Sequence, residues 1–439
     1  MQSLAPPPPT FRPRLRAAID SPRFVPICIG LFLVLRLAIL LVGPLSPTTD
    51  YLWYFNRAAG LARGQGYHEA GVLTAFWPVG WPAALSLIFR LTGPSVLAGQ
   101  LANLGFALAA ALLTLRLSTL WFADRAFARI AGRLALLMLA VLPNQIGYVP
   151  ILSAEIFYQL LLVAGLCLLA RARPLAALLA GLIFGVATLT KAQSLPIAGF
   201  VIVWVLLTTP AGILPWRPGL ARALRQGAVV YLAALLVVAP WSWRNWQVLH
   251  AFIPVSTNGG WTLLTGNNPE ATGDYVPAPS TATGINHDPA EQVAMDRLAR
   301  ARAIDWIAAN PGRFLMLMPE KFVRLWLPDG EAEWSFQSGY AGYDGLHRWF
   351  RAMRALNQGA YLLVLAGSLP TIWRLLRRLP RRAAPAPAHE QPWAQSGLAV
   401  CVYFTLISMV FSGQSRFHFA LMPLLALYAG ATLARRLVR

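Results

Sequence analysis

Apolar runs of about 20 residues, the length that spans a bilayer as a helix, recur along the whole chain between short polar stretches. Hydropathy predicts ten spans, over roughly 24–44, 95–121, 128–143, 156–170, 174–190, 195–209, 227–243, 356–375, 396–411 and 418–434. The third, fourth, sixth and ninth are short. The expected architecture is an all-α polytopic membrane protein. A Pro/Arg-rich segment over 1–23 precedes the first span, and a first outer segment follows it over roughly 45–94. Residues 24–243 then form the main transmembrane module, 244–355 an extracytoplasmic subdomain, and 356–439 the last helices with a basic tail. No repeat of 20–50 residues is evident.

Composition agrees, with 57% of the 439 residues hydrophobic and only 12% charged, about half the charged share of a soluble domain. The excess of 37 Lys and Arg over 17 Asp and Glu would suggest a nucleic-acid partner in a soluble protein. Here the basic residues are mostly arginines clustered between apolar runs, so the charge reports orientation and no nucleic-acid partner is expected. The clusters are Arg125, Arg129 and Arg133; Arg171 and Arg173; Arg217, Arg222 and Arg225; Arg374, Arg377, Arg378, Arg381 and Arg382; and Arg435, Arg436 and Arg439. With ten spans and the basic N-terminus (Pro6 to Pro9, Arg12, Arg14, Arg16, Arg23) inside, all five fall on the cytoplasmic side. No small-residue cleavage site follows the first span, which therefore reads as an uncleaved anchor. The expected location is a bacterial cytoplasmic (inner) membrane, with the large loops and any active site on the extracytoplasmic face. Cys28, Cys167 and Cys401 lie in apolar runs without metal-ligand spacing and read as packing residues.

The outer segments hold the candidate chemistry. Asp50 lies a few residues past the first span, with Tyr54 and Arg57 one and two turns on if the segment is helical. Partial desolvation raises a carboxylate's proton affinity and suits it to act as a base, although Asp50 could simply cap a helix starting at Tyr51. The cluster from Trp77 to Pro82 predicts a non-helical turn, serving either as an interfacial anchor or as an aromatic wall for a lipid or sugar. Glu155 opens the fourth span, as a functional acid or as a first-turn carboxylate favoured by the helix dipole. Lys191, Arg244 and Arg416 are cations at outer helix ends; each could snorkel, and together they suit a membrane-bound phosphate. Residues 254–260 and 265–269 carry amides and hydroxyls that suit sugar hydroxyls or ordinary Asx turns. In the subdomain a helix is expected from Glu291 to Ala309, and an amphipathic one from Phe314 to Trp326 along the membrane surface. No Walker, GxSxG, HExxH or CxxC sequence occurs.

Taken in order, several pieces resemble the bacterial branch of the GT-C glycosyltransferases, which includes the family 39 enzymes related to protein O-mannosyltransferases and to the lipid A aminoarabinose transferase. They are Asp50 with Tyr54, Gly64-x-Gly66-Tyr67, Trp77-Pro78-x-Gly80-x-Pro82, Ser153-x-Glu155 and Pro240-Trp241-x-x-Arg244-Asn245. Ser256-Thr257-Asn258-Gly259-Gly260, Gly266-Asn267-Asn268-Pro269 and Arg416-Phe417-His418 complete the set. The resemblance implies transfer of a sugar, with inversion, from a polyprenyl-phosphate donor to a lipid, glycan or protein acceptor outside the membrane. It implies Asp50 as the base, Glu155 as its acidic partner, and Lys191, Arg244 and Arg416 around the donor phosphate. Tyr54, Arg57, Tyr67, Asn258, Asn267, Asn268 and His418 are the candidate substrate-binding residues, and membrane lipids are further partners.

The chain departs from this pattern in carrying Tyr51 where protein mannosyltransferases have a second acid. It also has Phe76-Trp77 where the aminoarabinose transferases have an acidic-basic pair. No cofactor is required by the residues; a divalent cation (Mg or Mn) is the one to consider, with His68, Glu69 and His418 as substitute ligands or as ordinary hydrogen-bonding residues. The rival reading is a transporter or flippase of lipid-linked sugars, which would show midplane charges, broken helices or paired repeats. A polymerase or ligase moving a whole lipid-linked glycan would share the same chemistry.

Overall fold

The computed structural model describes residues 11–171, 173–209, 216–274, 288–377 and 391–438. Pro6 to Pro9, Arg378, Arg381, Arg382 and Arg439 lie outside the described residues, as do the Arg12 and Arg217 side chains. The fold is a helical bundle: α1 (Phe11–Asp20), α2 (Phe24–Val42), α3 (Thr49–Ala62), α4 (Gly80–Thr92), α5 (Val96–Trp121), α6 (Arg125–Val141), α7 (Pro143–Gly147), α8 (Glu155–Leu169) and α9 (Pro174–Thr190). Then follow α10 (Ile197–Thr208), α11 (Trp216–Leu249), α12 (Gly259–Thr265), α13 (Gln292–Ala309), α14 (Pro311–Trp326), α15 (Ala332–Gly339), α16 (Tyr343–Leu376), α17 (Gln395–Val410) and α18 (Met422–Val438). Among the described residues the strands are β1 (His68–Glu69) and β2 (Val72–Leu73), an antiparallel pair.

A helix stands at each of the ten predicted spans. Among the described residues six helical stretches are long and apolar enough to cross a membrane, and 155–169, 174–190 and 192–208 are shorter apolar helices, so the chain is a multi-pass membrane protein. The short ones are tucked inside the bundle, where α8 packs between α5 and α9, and α10 lies against α17. The last stretch, Ser415–Val438, is 89% buried in its most apolar window against 17% for α2, which puts α18 at the centre and α2 at the periphery. Small residues allow the closest helix pairs: a side chain at Gly181 would run into the α11 backbone, one at Gly185 into Val237 of α11, and one at Gly430 into the backbone of α6.

Two helices run well past their predicted spans. α11 and α16 have 34 residues each, about 51 Å at the helical rise, and pass unbroken through the boundaries drawn at 243/244 and 355/356. Hydropathy marks only the apolar part of such a helix, whereas backbone hydrogen bonding continues into its polar extension. Within the large loop, α12 and α13 form a small core of Leu264, Ala299 and Ala303. α14 lies against α17 with Leu317, Lys321 and Leu325 inward and Leu315, Met316, Phe322 and Val323 exposed, the four-residue spacing of an amphipathic helix. The three cysteines are free and buried.

Candidate active site

Four of the expected site residues meet at one end of the bundle. Asp50 follows α2, Glu155 opens α8, Lys191 closes α9, and Arg416 lies in the 3-10 turn Ser415–Leu421 that leads into α18. Lys191 Nζ donates to Glu155 Oε1 at 2.9 Å, and Arg416 Nη1 stands 3.7 Å from Asp50 Oδ2, an ion pair longer than an ordinary hydrogen bond. Glu155 is buried and Asp50 half-buried. The Arg416 Nε is buried without a hydrogen-bond partner. Rings surround the cations: Lys191 Nζ is 5.6 Å from the Tyr158 centroid and 5.7 Å from that of Phe417, which also lies under Arg416.

Each of these residues is aimed by local chemistry. Thr49 has φ 49°, a left-handed conformation rarely adopted by a β-branched residue, at the turn immediately before Asp50. Ser46 and Thr48 fasten that turn to α15, through Ser46 N donating to Gly339 O at 3.0 Å and a 2.9 Å bond between the Thr48 and Ser338 hydroxyls. The helix begins at Thr49, so Asp50 lies in its first turn rather than capping it. Glu155 is set by the irregular turn segment 149–154, whose carbonyls are met by Asn103 Nδ2 (Ile151 O, 2.7 Å), Gln100 Nε2 (Pro150 O, 3.0 Å) and Trp81 Nε1 (Leu152 O, 2.9 Å). Trp81 is therefore a core anchor rather than an interfacial one, and Gly80 to Pro82 form the first turn of α4 rather than a non-helical turn.

Burial raises the Asp50 carboxyl above its ordinary range; Arg416 opposes the shift and Glu155 adds to it. The Tyr54 phenol is held well above its usual value by burial, with further contributions from Asp50 and Glu155, so its hydroxyl keeps its proton. Tyr51 is pushed up to about 12 for the same reason. One contributor escaped the sequence reading. Glu331 Oε1 accepts a 2.7 Å bond from Ser415 Oγ, and its charge acts on Arg416. Its sole sequence cue is the polar turn Pro328-Asp329-Gly330-Glu331 after α14.

The remaining candidates are engaged elsewhere. Arg244 donates to Thr74 O (2.7 Å) and Tyr67 O (3.2 Å), and its neighbour Trp241 to Val255 O (2.7 Å), so this motif staples the first outer segment to residues 253–257. Tyr67 is buried and gives its hydroxyl to Trp77 O at 3.1 Å. Its ring belongs to an edge-to-face cluster with Trp53 and Trp241, and Trp77 adds contacts to Trp53 and Tyr54. Arg57 stacks over Trp53, with its Nε and Nη1 buried and unbonded. Burial lowers its pKa, against the opposing charges of Glu69 and Tyr67. Asn258 Oδ1 accepts from Ser256 Oγ at 2.8 Å.

Three residues expected to meet substrate are spent inside the fold. Asn267 is fully buried, donates to Leu263 O and Val410 O, and accepts from Lys321 Nζ. Asn268, also buried, donates to Leu264 O and accepts from Glu270 N. His418 is buried between the rings of Trp326 and Tyr361, with Nδ1 2.6 Å from Leu325 O and Nε2 3.3 Å from Asp329 Oδ1. Both His418 ring nitrogens are thus turned to oxygens inside the fold. His68 and Glu69 sit in β1, and among the described residues no group of three or more His, Cys, Asp or Glu is arranged to hold a metal ion. Asp50 and Glu155 each have a cation beside them, Arg416 and Lys191.

No protein-family model matches the chain, and no curated protein matches it. Among solved structures it is similar to the oligosaccharyltransferase AglB of Archaeoglobus fulgidus in complex with an inhibitory peptide and a dolichol-phosphate. The identity is 14%, covering 97% of this chain and 51% of that one, with a TM-score of 0.55. The same enzyme tethered to an acceptor peptide matches at 13% identity over 95% and 50%, also with TM-score 0.55. ArnT of Cupriavidus metallidurans bound to undecaprenyl phosphate aligns at 14% identity over 94% and 79%, with a TM-score of 0.45. The chain spans about half the length of the AglB structures it matches. At such identity the likeness shows the fold alone: the chain has the GT-C membrane fold.

Proposed function

We propose that this protein is a membrane glycosyltransferase that moves a sugar from a polyprenyl-phosphate donor to an acceptor hydroxyl on the extracytoplasmic face of a bacterial inner membrane. The observation that carries the reading is the Asp50–Arg416 pair beside Glu155–Lys191: a carboxyl of raised proton affinity next to two cations, at the end of the bundle opposite the arginine clusters. The fold shared with AglB, seen in complex with dolichol-phosphate, supports the same class of donor.

In this mechanism Asp50 takes the proton of the acceptor hydroxyl as its oxygen attacks the anomeric carbon. The bond from that carbon to the donor phosphate breaks, its electron pair leaves with the polyprenyl phosphate, and configuration inverts. Arg416 and Lys191 meet the growing phosphate charge in a low-dielectric setting, where such contacts are strongest. Glu155 holds Lys191 in place and raises the basicity of Asp50. Arg244 shapes the first outer segment, whose Trp53, Tyr54 and Trp77 rings form an aromatic rim for the sugar or the lipid. The site lies at helix ends rather than at the midplane, which favours transfer over transport.

The test is release of free polyprenyl phosphate from a panel of polyprenyl-phosphate sugars in nanodiscs, with candidate acceptors, for wild type and Asp50→Asn. Acceptor-dependent release by wild type, lost in a folded Asp50→Asn protein, is expected. Equal release by both would remove Asp50 from the mechanism.

A further inference from the structure

Lys321 is an ammonium buried to 0% exposure with no carboxylate partner among the described residues, on the inner face of α14. Such burial is costly unless the charge is matched, and here it lowers the lysine's pKa to about 8. What Lys321 does meet is the end of α17. Its Nζ donates to Asn267 Oδ1 at 2.8 Å and to Val410 O at 3.2 Å, and Asn267 Nδ2 donates to the same Val410 carbonyl at 2.9 Å. Val410 is the last residue of α17, so two side chains share one of the carbonyls that a helix end leaves unpaired.

The link that follows is held against the same residues. Gly413 N donates to Gly273 O at 2.9 Å, and Gly413 packs so tightly on the Lys321 backbone that any side chain there would strike it. Gly266 is pressed in the same way onto the Phe411 carbonyl. From its other side the link is tied by Ser415 to Glu331. Residues 410–415 thus have little freedom, and Arg416 is the next residue.

We propose that Lys321 is a positioning residue for Arg416: with Asn267 it pins the C-terminus of α17 and fixes the link that sets the guanidinium against Asp50. The catalytic part of this inference rests on the reading of Arg416 as a donor-phosphate ligand; the structural part does not. α14 and the 266–268 turn become the support on which the site is aligned, which gives the Gly266-Asn267-Asn268-Pro269 motif a role other than sugar contact.

The test compares Lys321→Met with wild type in nanodiscs by hydrogen–deuterium exchange. Peptides over 411–417 should exchange about tenfold faster in the variant, with α5 unchanged, as for a local opening. Unchanged exchange at 411–417, or equal acceleration in α5, overturns the proposal. Asn267→Leu, which removes the other donor to Val410 O, should open the same peptides and serves where Lys321→Met does not fold. In the transfer assay Lys321→Met should raise the donor KM about fivefold, yet add nothing in an Arg416→Gln background, the non-additivity of residues acting through one another. An additive effect there would overturn the link to Arg416. A wild type that transfers no sugar would sink the functional reading, while the exchange data would still decide whether Lys321 holds the link.

Discussion

The Arg416 guanidinium lies 3.7 Å from the Asp50 carboxylate and acts electrostatically on Glu155, which is itself bonded to Lys191 at 2.9 Å. Two acids and two cations from four separate parts of the chain therefore form one alternating row. Charges in such a row set one another's basicity, so changing any member has a defined effect on the rest.

In the proposed transfer Asp50 is the member that moves a proton. Its replacement by Asn should lower the transfer rate by about 10²–10⁴, the usual contribution of a general base. The melting midpoint in nanodiscs should stay near that of wild type, because Asp50 is half-exposed and Asn keeps its shape. A loss of folding in parallel with activity would leave Asp50 a structural residue.

The pH dependence follows from the signs. Activity should rise with pH through the Asp50 pKa, which burial places above the ordinary carboxylate range. Arg416 lowers that pKa and Glu155 raises it, so Arg416→Gln should move the acid limb to higher pH and Glu155→Gln to lower pH. A raised folded pKa also means that the folded state holds the proton more tightly. The Asp50 contribution to stability should accordingly fall as pH rises from its unfolded to its folded pKa. Rate profiles of the three proteins over the acid range check the order; identical limbs would contradict it.

Glu155 and Lys191 have side chains only 9% and 17% exposed, so breaking their pair leaves an uncompensated buried charge. Lys191→Met and Glu155→Gln should each destabilise the protein, Lys191→Met by about 3–5 kcal/mol, whereas the double variant should recover part of the loss. Denaturation midpoints of the four proteins test this, and fully additive losses would argue against a direct pair.

Asn268 separates structural amides from substrate contacts. Asn268→Ala should cost about 1–3 kcal/mol of stability, since it strips partners from buried backbone groups, and should leave the donor KM unchanged. A raised KM at unchanged stability would return Asn268 to the substrate site.

The bundle was legible in the sequence because a membrane span is a local property: about 20 apolar residues announce a helix whatever surrounds them. Asp50, Glu155, Lys191 and Arg416 were legible for a related reason, since charges at the ends of apolar runs are conspicuous. The burial of Asn267, Asn268 and His418 was not legible, because an amide or imidazole that binds sugar looks the same in sequence as one that caps a helix or fills a core. Glu331 is marked in the chain only by the polar turn Pro328-Asp329-Gly330-Glu331, and Lys321 by nothing nearby; their roles arise when α14 and its following turn meet the link before α18. Trp81 looked interfacial as part of a Trp/Pro cluster, yet its indole N–H is needed by the Leu152 carbonyl deep in the fold.

The most direct test of the account is to locate a phosphate. Cryo-electron microscopy of the protein in nanodiscs with undecaprenyl phosphate should place the head group within hydrogen-bonding reach of Arg416 and Lys191, on the side facing Asp50. A head group seated at the arginine-rich end of the bundle, with Asp50 and Arg416 undisturbed, would contradict it.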